Sequence, residues 1–343
     1  MSDRVTDVLT RPSLTHDAAG GALERLWRVT GELSDLPSER DRNFRVRVDG
    51  APRYVLKFSN LAEDRAFVEL QHVALGRLAA EGLPVQRIVR TIDGEALAEA
   101  DVEGGRAIVR LLTWLPGVPL ATLEPERRSP RLLEDLGRTM GRVAASLATL
   151  DHPAARRQFQ WDVVRFADVV EGHARAVTDA GQRELLGRAR KRLAESLAPV
   201  LETLPRSLIH NDANYHNVLV DGAGYGVTGL LDLGDMVHSV TANEAAVAAA
   251  YAMLGAAEPI EVLAHVVQGF HAERPLAPAE VASLSELVIA RLCTSVVLSA
   301  HQTTLDPGEP YLAISEAPAW QLLERLVAVE PAAIEEAMRP ALR

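Results

Sequence analysis

Apolar and polar positions alternate in short runs through the first third of the chain: LWRVTGEL (26–33), NFRVRV (43–48), RYVLKF (53–58), QRIVRTI (86–92) and RAIVRLLT (106–113). Runs of this length, rich in branched and aromatic residues, predict strands. Asp49-Gly50 separates the second from the third, and because glycine takes positive φ readily the pair predicts a hairpin. Five strands so connected make an antiparallel sheet. One helix interrupts them over 61–81, with Asn60 and Glu63 spaced as a capping box, Phe67, Leu70, Ala74 and Leu78 as its apolar stripe, and Gly82 and Pro84 closing it.

Beyond Trp114 the rhythm changes. LPGVP (115–119) punctuates the chain, and 131–150, 183–204, 243–254, 259–271 and 279–302 carry apolar residues at three- and four-residue spacing, which predicts helices. Gly137 and Gly141, four apart on the first of these, predict a close approach by another helix. Only 208–236 reads strand, turn, strand. The fold class expected is therefore α+β and bilobal. Residues 1–112 are expected to form a small, antiparallel, β-rich lobe with one helix, and residues 113–343 a larger, mainly α-helical lobe.

Composition narrows the classes. With 48% of its 343 residues hydrophobic and 24% charged, the chain buries an ordinary core. Its 47 acidic against 36 basic residues give a formal charge of −11, which disfavours nucleic acid and anionic membrane as partners. The apolar run 245–257 is too short to span the roughly 30 Å of a bilayer core. A single cysteine, Cys293, leaves no intrachain disulfide and no cysteine zinc cage, and MSDRVTDVLT lacks the basic-then-apolar order of a secretory signal. A cytoplasmic location is expected. Among the basic residues only Lys57 and Lys191 are lysines, so each raises the question of why an ammonium stands where arginine is the habit.

The irregular insertion carries the chemistry. LIHNDANYHNVLV (208–220) sets His210, Asp212 and Asn217 in the pattern H-x-D-x-x-x-x-N, and LLDLGDM then supplies Asp232 and Asp235. Phosphoryl transfer from a nucleotide is mostly positioning and charge neutralisation around a triphosphate and its metal. Mg2+ prefers carboxylate, amide and phosphate oxygens, a set that Asn217 and Asp232 fit. Asp212 would then orient an acceptor hydroxyl and take its proton. Lys57, ending the third strand, suits the α- and β-phosphates, and Glu69 on the following helix, beside Ala66 and Val73, is the expected counter-charge, with Glu63 as the alternative. Singly, each residue has a plainer account: Asx turns for the acids and Asn217, solvated charges for Lys57 and Glu69, and a turn-holding role for His210. Their order favours the chemical one.

With LPSERDRNFRV, YVLKFSN, VELQ, VRLLTWLPGVP, HNDANYHNVLV, GLLDLGDM and ARLCTS in sequence over nearly the whole length, the chain resembles the aminoglycoside phosphotransferase and choline kinase superfamily. That superfamily shares the protein-kinase fold, and within it the chain is similar to the hydroxylysine kinases. The resemblance implies Asp212 as catalytic base, Asn217 and Asp232 as ligands of Mg2+, and Lys57 with Glu69 at the phosphates. It makes 112–115 the purine-binding hinge, through the Thr113 carbonyl and the Leu115 N–H. Hydroxylysine kinases use GTP, so GTP is the implied donor, while the side chains leave GTP or ATP open. Three departures stand out. SDLPSERDRNF (34–44) has no glycine, which separates it from protein kinases; DLG replaces DFG; and HND replaces the commoner H-G-D, crowding the turn beside Asp212.

For an acceptor that is a hydroxy amino acid, Asp235 is the expected ammonium partner. Arg291, which interrupts the apolar helix LVIARLCTSVVL (287–298), is the candidate for its carboxylate, with a structural ion pair as the alternative. The expected function is a small-molecule kinase acting on an amine-bearing alcohol, 5-hydroxylysine first, then homoserine, choline, ethanolamine or an aminoglycoside. Two contrasting classes are a catalytically silent nucleotide-binding protein and a metallohydrolase using His210, His216, Asp212 and Asp232. The six-residue separation of the two histidines weighs against the latter.

Overall fold

Asp49 and Gly50 take φ of 51° and 75°, the two positive values of a tight hairpin turn. They join strand β2 (Arg42–Val48) to β3 (Ala51–Phe58), with Val48 opposite Ala51. The computed structural model describes residues 11–38, 40–305 and 316–342. The chain divides into two units, Met1–Pro116 and Gly117–Arg343, the division falling inside the LPGVP segment.

In the first unit β1 (Glu32–Leu36), β2, β3, β4 (Ile88–Val89) and β6 (Gly105–Thr113) form one sheet in the order β1-β2-β3-β6-β4. A further strand, β5 (Ala98–Val102), also pairs with β6. Every pairing is antiparallel. Because side chains alternate, each strand has two registers of burial. Phe44, Val46, Leu56, Phe58, Ala107, Val109 and Leu111 share one face and pack on helix α1 (His16–Trp27) through Ala19, Ala22, Leu23 and Trp27. The opposite face carries Asn43, Lys57 and Arg110, directly across from one another on β2, β3 and β6.

Two expectations are corrected here. Residues 26–33 are not one strand: α1 ends at Trp27, Arg28 takes a left-handed φ of 52°, and β1 begins only at Glu32. The buried side chains of α1, Ala19, Ala22, Leu23 and Trp27, follow the i, i+3, i+4, i+8 spacing of one helix face, a pattern that the strand reading of 26–33 cut across. The second helix, α2 (Arg65–Ala80), starts later than expected. Its cap is Asp64, which accepts the Ala66 N–H at 2.9 Å, whereas Asn60 Oδ1 accepts the Ala62 N–H at 3.1 Å in a turn that precedes the helix.

The second unit is built on α3 (Pro130–Leu147), α4 (Phe166–His173), α5 (Ala180–Ser196), α6 (Asn243–Ala252), α7 (Pro259–Glu273), α8 (Pro278–Leu305), α9 (Glu316–Val327) and α10 (Pro331–Met338). Sequence periodicity did not bring out α4, α9 or α10, and α5 stops short of the 204 expected. By length and composition α8 would pass as a membrane span, yet nearly all of it from Val281 to Leu298 is buried among its neighbours, as befits a core helix. The small strands β7 (Val118–Pro119), β9 (Val218–Val220) and β10 (Val227–Leu230) form one ladder in the order β10-β9-β7, and β8 (Arg206–Ile209) pairs with β11 (Val237–Val240) in another.

Helices α3 and α7 touch through backbone. A Cβ at Gly137 would lie 2.0 Å from the Val266 carbonyl oxygen, and one at Gly269 would lie 1.9 Å from that of Glu134, so neither site has room for a methyl group. Gly269→Ala is therefore expected to lower stability by about 1–3 kcal/mol through overpacking. Gly187→Ala, on α5 where a Cβ meets nothing within 4 Å, raises it by about 0.5–1 kcal/mol. Urea unfolding midpoints of the two variants check the contrast.

Candidate active site

The expected residues fall in two groups, Lys57, Glu69, Thr113 and Leu115 in the first unit and Asp212, Asn217, Asp232, Asp235 and Arg291 in the second. In the second unit two loops carry the acids. Residues 210–217 leave β8 at Ile209 and enter β9 at Val218, while 231–236 leave β10 at Leu230 and enter β11 at Val237. Ile209 pairs with Val237 and Val218 with Leu230, so each loop is clamped to the other at both ends. Two further bonds bridge them: the Leu231 N–H donates to the Asn217 carbonyl at 2.8 Å, and His210 Nε2 meets the Leu231 carbonyl at 3.0 Å.

His210 is fully buried, and its Nδ1 accepts the Asp212 N–H at 3.2 Å. With Nε2 donating and Nδ1 accepting, the ring is neutral, and burial holds its pKa below the ordinary histidine value. Both nitrogens are occupied, so His210 is the turn-holding residue and not a metal ligand.

Asp212 is the best-held side chain of the group. Its Oδ1 accepts from Asn214 Nδ2 at 3.0 Å and pairs with Arg291 Nη2 at 3.1 Å, and its Oδ2 accepts from Asn217 Nδ2 at 2.6 Å. Burial, then the charge of Asp235, raise its pKa well above the usual carboxylate range; Arg291 and the Asn214 bond pull it down, and Asp232 adds a smaller upward push. Asn217 Nδ2 also donates to the Asp212 carbonyl at 3.0 Å, which commits the amide nitrogen and turns Oδ1 away from Asp212. Asp232 stands just past the β10 end, at a left-handed φ of 55°, with Oδ1 accepting the Gly234 N–H at 2.9 Å. An amide oxygen and a carboxylate at adjacent strand ends are the hard donors a divalent cation takes together with phosphate oxygens.

Arg291 does not stand open for a ligand. Besides Asp212 it donates to the Asn211 carbonyl at 3.4 Å, and its guanidinium lies over the Trp161 ring at 4.4 Å and near Tyr251 at 5.4 Å. The carboxylate it pairs with is Asp212 itself, the ion-pair alternative of the two weighed from sequence. Asp235 is buried.

Sequence reasoning missed Glu244. From the first turn of α6 its two carboxylate oxygens accept the His210 and Asn211 N–H groups at 2.9 and 3.0 Å. The only hint was its place in an otherwise apolar helix. Asn211 holds a φ of 66°, the left-handed region that asparagine tolerates best after glycine, which accounts for HND where H-G-D is commoner. Its side chain is fixed by Trp161 O at 3.2 Å and Asn243 Nδ2 at 3.0 Å.

In the first unit Lys57 is buried with Nζ 3.5 Å from Asp41 Oδ2, and Asp41 Oδ1 accepts the Asn60 N–H at 3.1 Å. The expectation for Glu69 is corrected. Arg65 Nε holds its Oε1 at 3.0 Å on the outer side of α2, where half of the Glu69 side chain is exposed. Val73, one turn on, is 53% exposed, so the side of α2 that Glu69 shares with it is solvent face. The polar residue α2 turns to the sheet is Gln71, which accepts from Arg110 Nη1 at 2.6 Å. The Thr113 carbonyl accepts from Gln86 Nε2 at 3.1 Å, and Leu115 N–H makes no hydrogen bond among the described residues.

Burial pushes the Glu244 carboxyl up to about 7 from its ordinary 4.5. A carboxyl whose folded pKa is raised keeps its proton where the unfolded chain has lost it. Its contribution to stability is full below about 4.5, falls by about 3 kcal/mol as pH rises to about 7, and is level above that. Glu244→Gln is expected to be less stable than wild type at pH 5, having lost one amide acceptor, and to lose less on going from pH 5 to pH 8. Unfolding free energies at the two pH values test this.

The model of the phosphotransferase enzyme family, APH, matches residues 32–282. A hydroxylysine kinase of Danio rerio is 32% identical over 92% of this chain and 92% of that relative, and one of Bos taurus is 29% identical over 96% and 94%. Among solved structures, the amicoumacin kinase hAmiN, bound to AMP-PNP, Ca2+ and Ami, superposes with a TM-score of 0.70 at 14% identity, covering 93% of this chain and 97% of that one. A microcompartment-associated aminopropanol kinase gives 0.66 at 20%, covering 90% and 97%. These show an α+β fold shared with small-molecule kinases. With the family's model spanning most of its length, the chain belongs to the APH phosphotransferase family and is a kinase.

Proposed function

We propose that this kinase transfers the γ-phosphoryl group of GTP or ATP to the hydroxyl of an amine-bearing small molecule, with 5-hydroxylysine the preferred acceptor. The observation that carries the chemistry is the held carboxylate of Asp212, gripped by Asn214, Asn217 and Arg291 and followed by a buried Asp235. The acceptor preference is supported by relatives called hydroxylysine kinase that match this chain over more than nine-tenths of its length.

Asp212 orients the acceptor hydroxyl and receives its proton as the new oxygen–phosphorus bond forms. The bond from the γ-phosphorus to the bridging oxygen breaks, and its electron pair leaves with the nucleoside diphosphate. Asn217 Oδ1 and Asp232 would hold a divalent cation, Mg2+ in the ordinary case, which neutralises phosphate charge. Lys57 contacts the α- and β-phosphates. Arg291 fixes the Asp212 carboxylate by a charged hydrogen bond and two aromatic contacts, and Asp235 meets the acceptor's ammonium.

A coupled assay with GTP and ATP separately, against 5-hydroxylysine, homoserine, choline, ethanolamine and an aminoglycoside, tests the proposal. The highest kcat/KM is expected on 5-hydroxylysine. Asp212→Asn lowers kcat by about 10²–10⁴ with nucleotide affinity retained. Equal rates for wild type and Asp212→Asn on the best acceptor would remove Asp212 from the chemistry. Asp235→Asn is expected to raise KM for hydroxylysine about tenfold, the loss of one charged contact, and to leave KM for the nucleotide unchanged.

A further inference from the structure

Three polar side chains cross the inner face of the first unit's sheet in a row. Asn43 on β2 is opposite Lys57 on β3, and Lys57 is opposite Arg110 on β6. All three are more than nine-tenths buried, with Arg110 at 3% exposure. Like charges facing each other across a strand pair repel, and a buried guanidinium is normally matched by a carboxylate. Among the described residues no carboxylate lies within ion-pair distance of Arg110. Its partner is the neutral amide of Gln71, and its Nε has no acceptor. Asn43 Oδ1 and both ring nitrogens of buried His72 are also without partners. The His72 pKa is pushed down to about 3 by burial and then by Arg110 and Arg90, so the ring is neutral and answers none of the positive charge.

We propose that Arg110 is a second cation of the donor-phosphate site, a positioning residue whose guanidinium, partnered by neutral Gln71, sets beside Lys57 a positive charge in excess of what the carboxylates within its own reach match, for the phosphate chain of a nucleoside triphosphate to complete. The inference rests on Lys57 as a phosphate-contacting residue. Arg110 acts through it: repulsion between the two cations turns the flexible ammonium toward the ligand, and the guanidinium adds attraction for a polyanion at short range in a poorly solvated setting. A carboxylate at position 71 would cancel that excess, which gives the amide a reason to stand there.

Gln71→Glu is the sharpest test because it changes one atom group without changing shape. In the full chain it is expected to raise the melting temperature without nucleotide, by giving Arg110 its missing anion, and to weaken binding of Mg-GTP and Mg-ATP about tenfold. Arg110→Met weakens the same binding with no fall in the nucleotide-free melting temperature, and Arg110→Lys restores affinity. KM for the nucleotide rises in the weakened variants while KM for the acceptor stays put. Unchanged or tighter nucleotide binding in Gln71→Glu overturns the inference, as does a collapse in stability of Arg110→Met with nucleotide KM unmoved in Gln71→Glu. Lys57→Met separates the two levels. If it weakens nucleotide binding while the position 71 and 110 variants do not, only Arg110's role fails; if it too leaves binding unchanged, the assignment of Lys57 to the phosphates fails with it.

Discussion

The pairing of Ile209 with Val237 and of Val218 with Leu230 is the constraint on which the second unit's chemistry depends. Two short ladders pin both ends of two loops, and a loop held at both ends against a partner held the same way has little conformational freedom left to lose. That is how Asp212, on one loop, and Asp232 and Asp235, on the other, become neighbours despite their electrostatic repulsion. The loops bring their own reinforcement. His210 spans them with a neutral ring, Asn217 ties its backbone carbonyl to Leu231 and its amide nitrogen to Asp212, and Glu244 takes up the two N–H groups that the left-handed turn at Asn211 would otherwise leave buried and unpaired.

Legibility in the sequence followed distance along the chain. H-x-D-x-x-x-x-N and the D-x-G-D after it lie within one stretch of 26 residues, so spacing alone announced them, and the Asp49-Gly50 turn is dictated by two residues. What was lost depended on neighbours from afar. Asp41 as the carboxylate at Lys57, Glu244 under the loop, and Asp212 as the partner of Arg291 are choices made in three dimensions among many acids. Helix α1 was missed for a different reason: Ala19, Ala22, Leu23 and Trp27 do repeat at helical spacing, but the strand-like run that begins at Leu26 overlaps the end of the helix.

Glu69 shows how a rule of chemistry misleads without its rotation. A lysine in a cleft does need an anion, and an acid on the next helix was the natural supplier. Two residues move a helical side chain by about 200°, however, and the same α2 that sends Glu69 out to Arg65 sends Gln71 in to Arg110. The charge at the inner face is set by that difference, with an amide where the sequence argument had placed a carboxylate.

The two groups of polar residues are built with opposite electrostatic sense. In the loops of the second unit the charges of Asp235 and Asp232 raise the pKa of Asp212, and Arg291 pulls it back down. On the sheet of the first unit Lys57, beside Asp41, lies across from Arg110, whose partner is the neutral amide of Gln71. A buried charge without a counter-charge is costly to a fold. A buried guanidinium left with only an amide for a partner, where folding alone would favour neutrality, is retained for something other than the stability of the sheet it lies on.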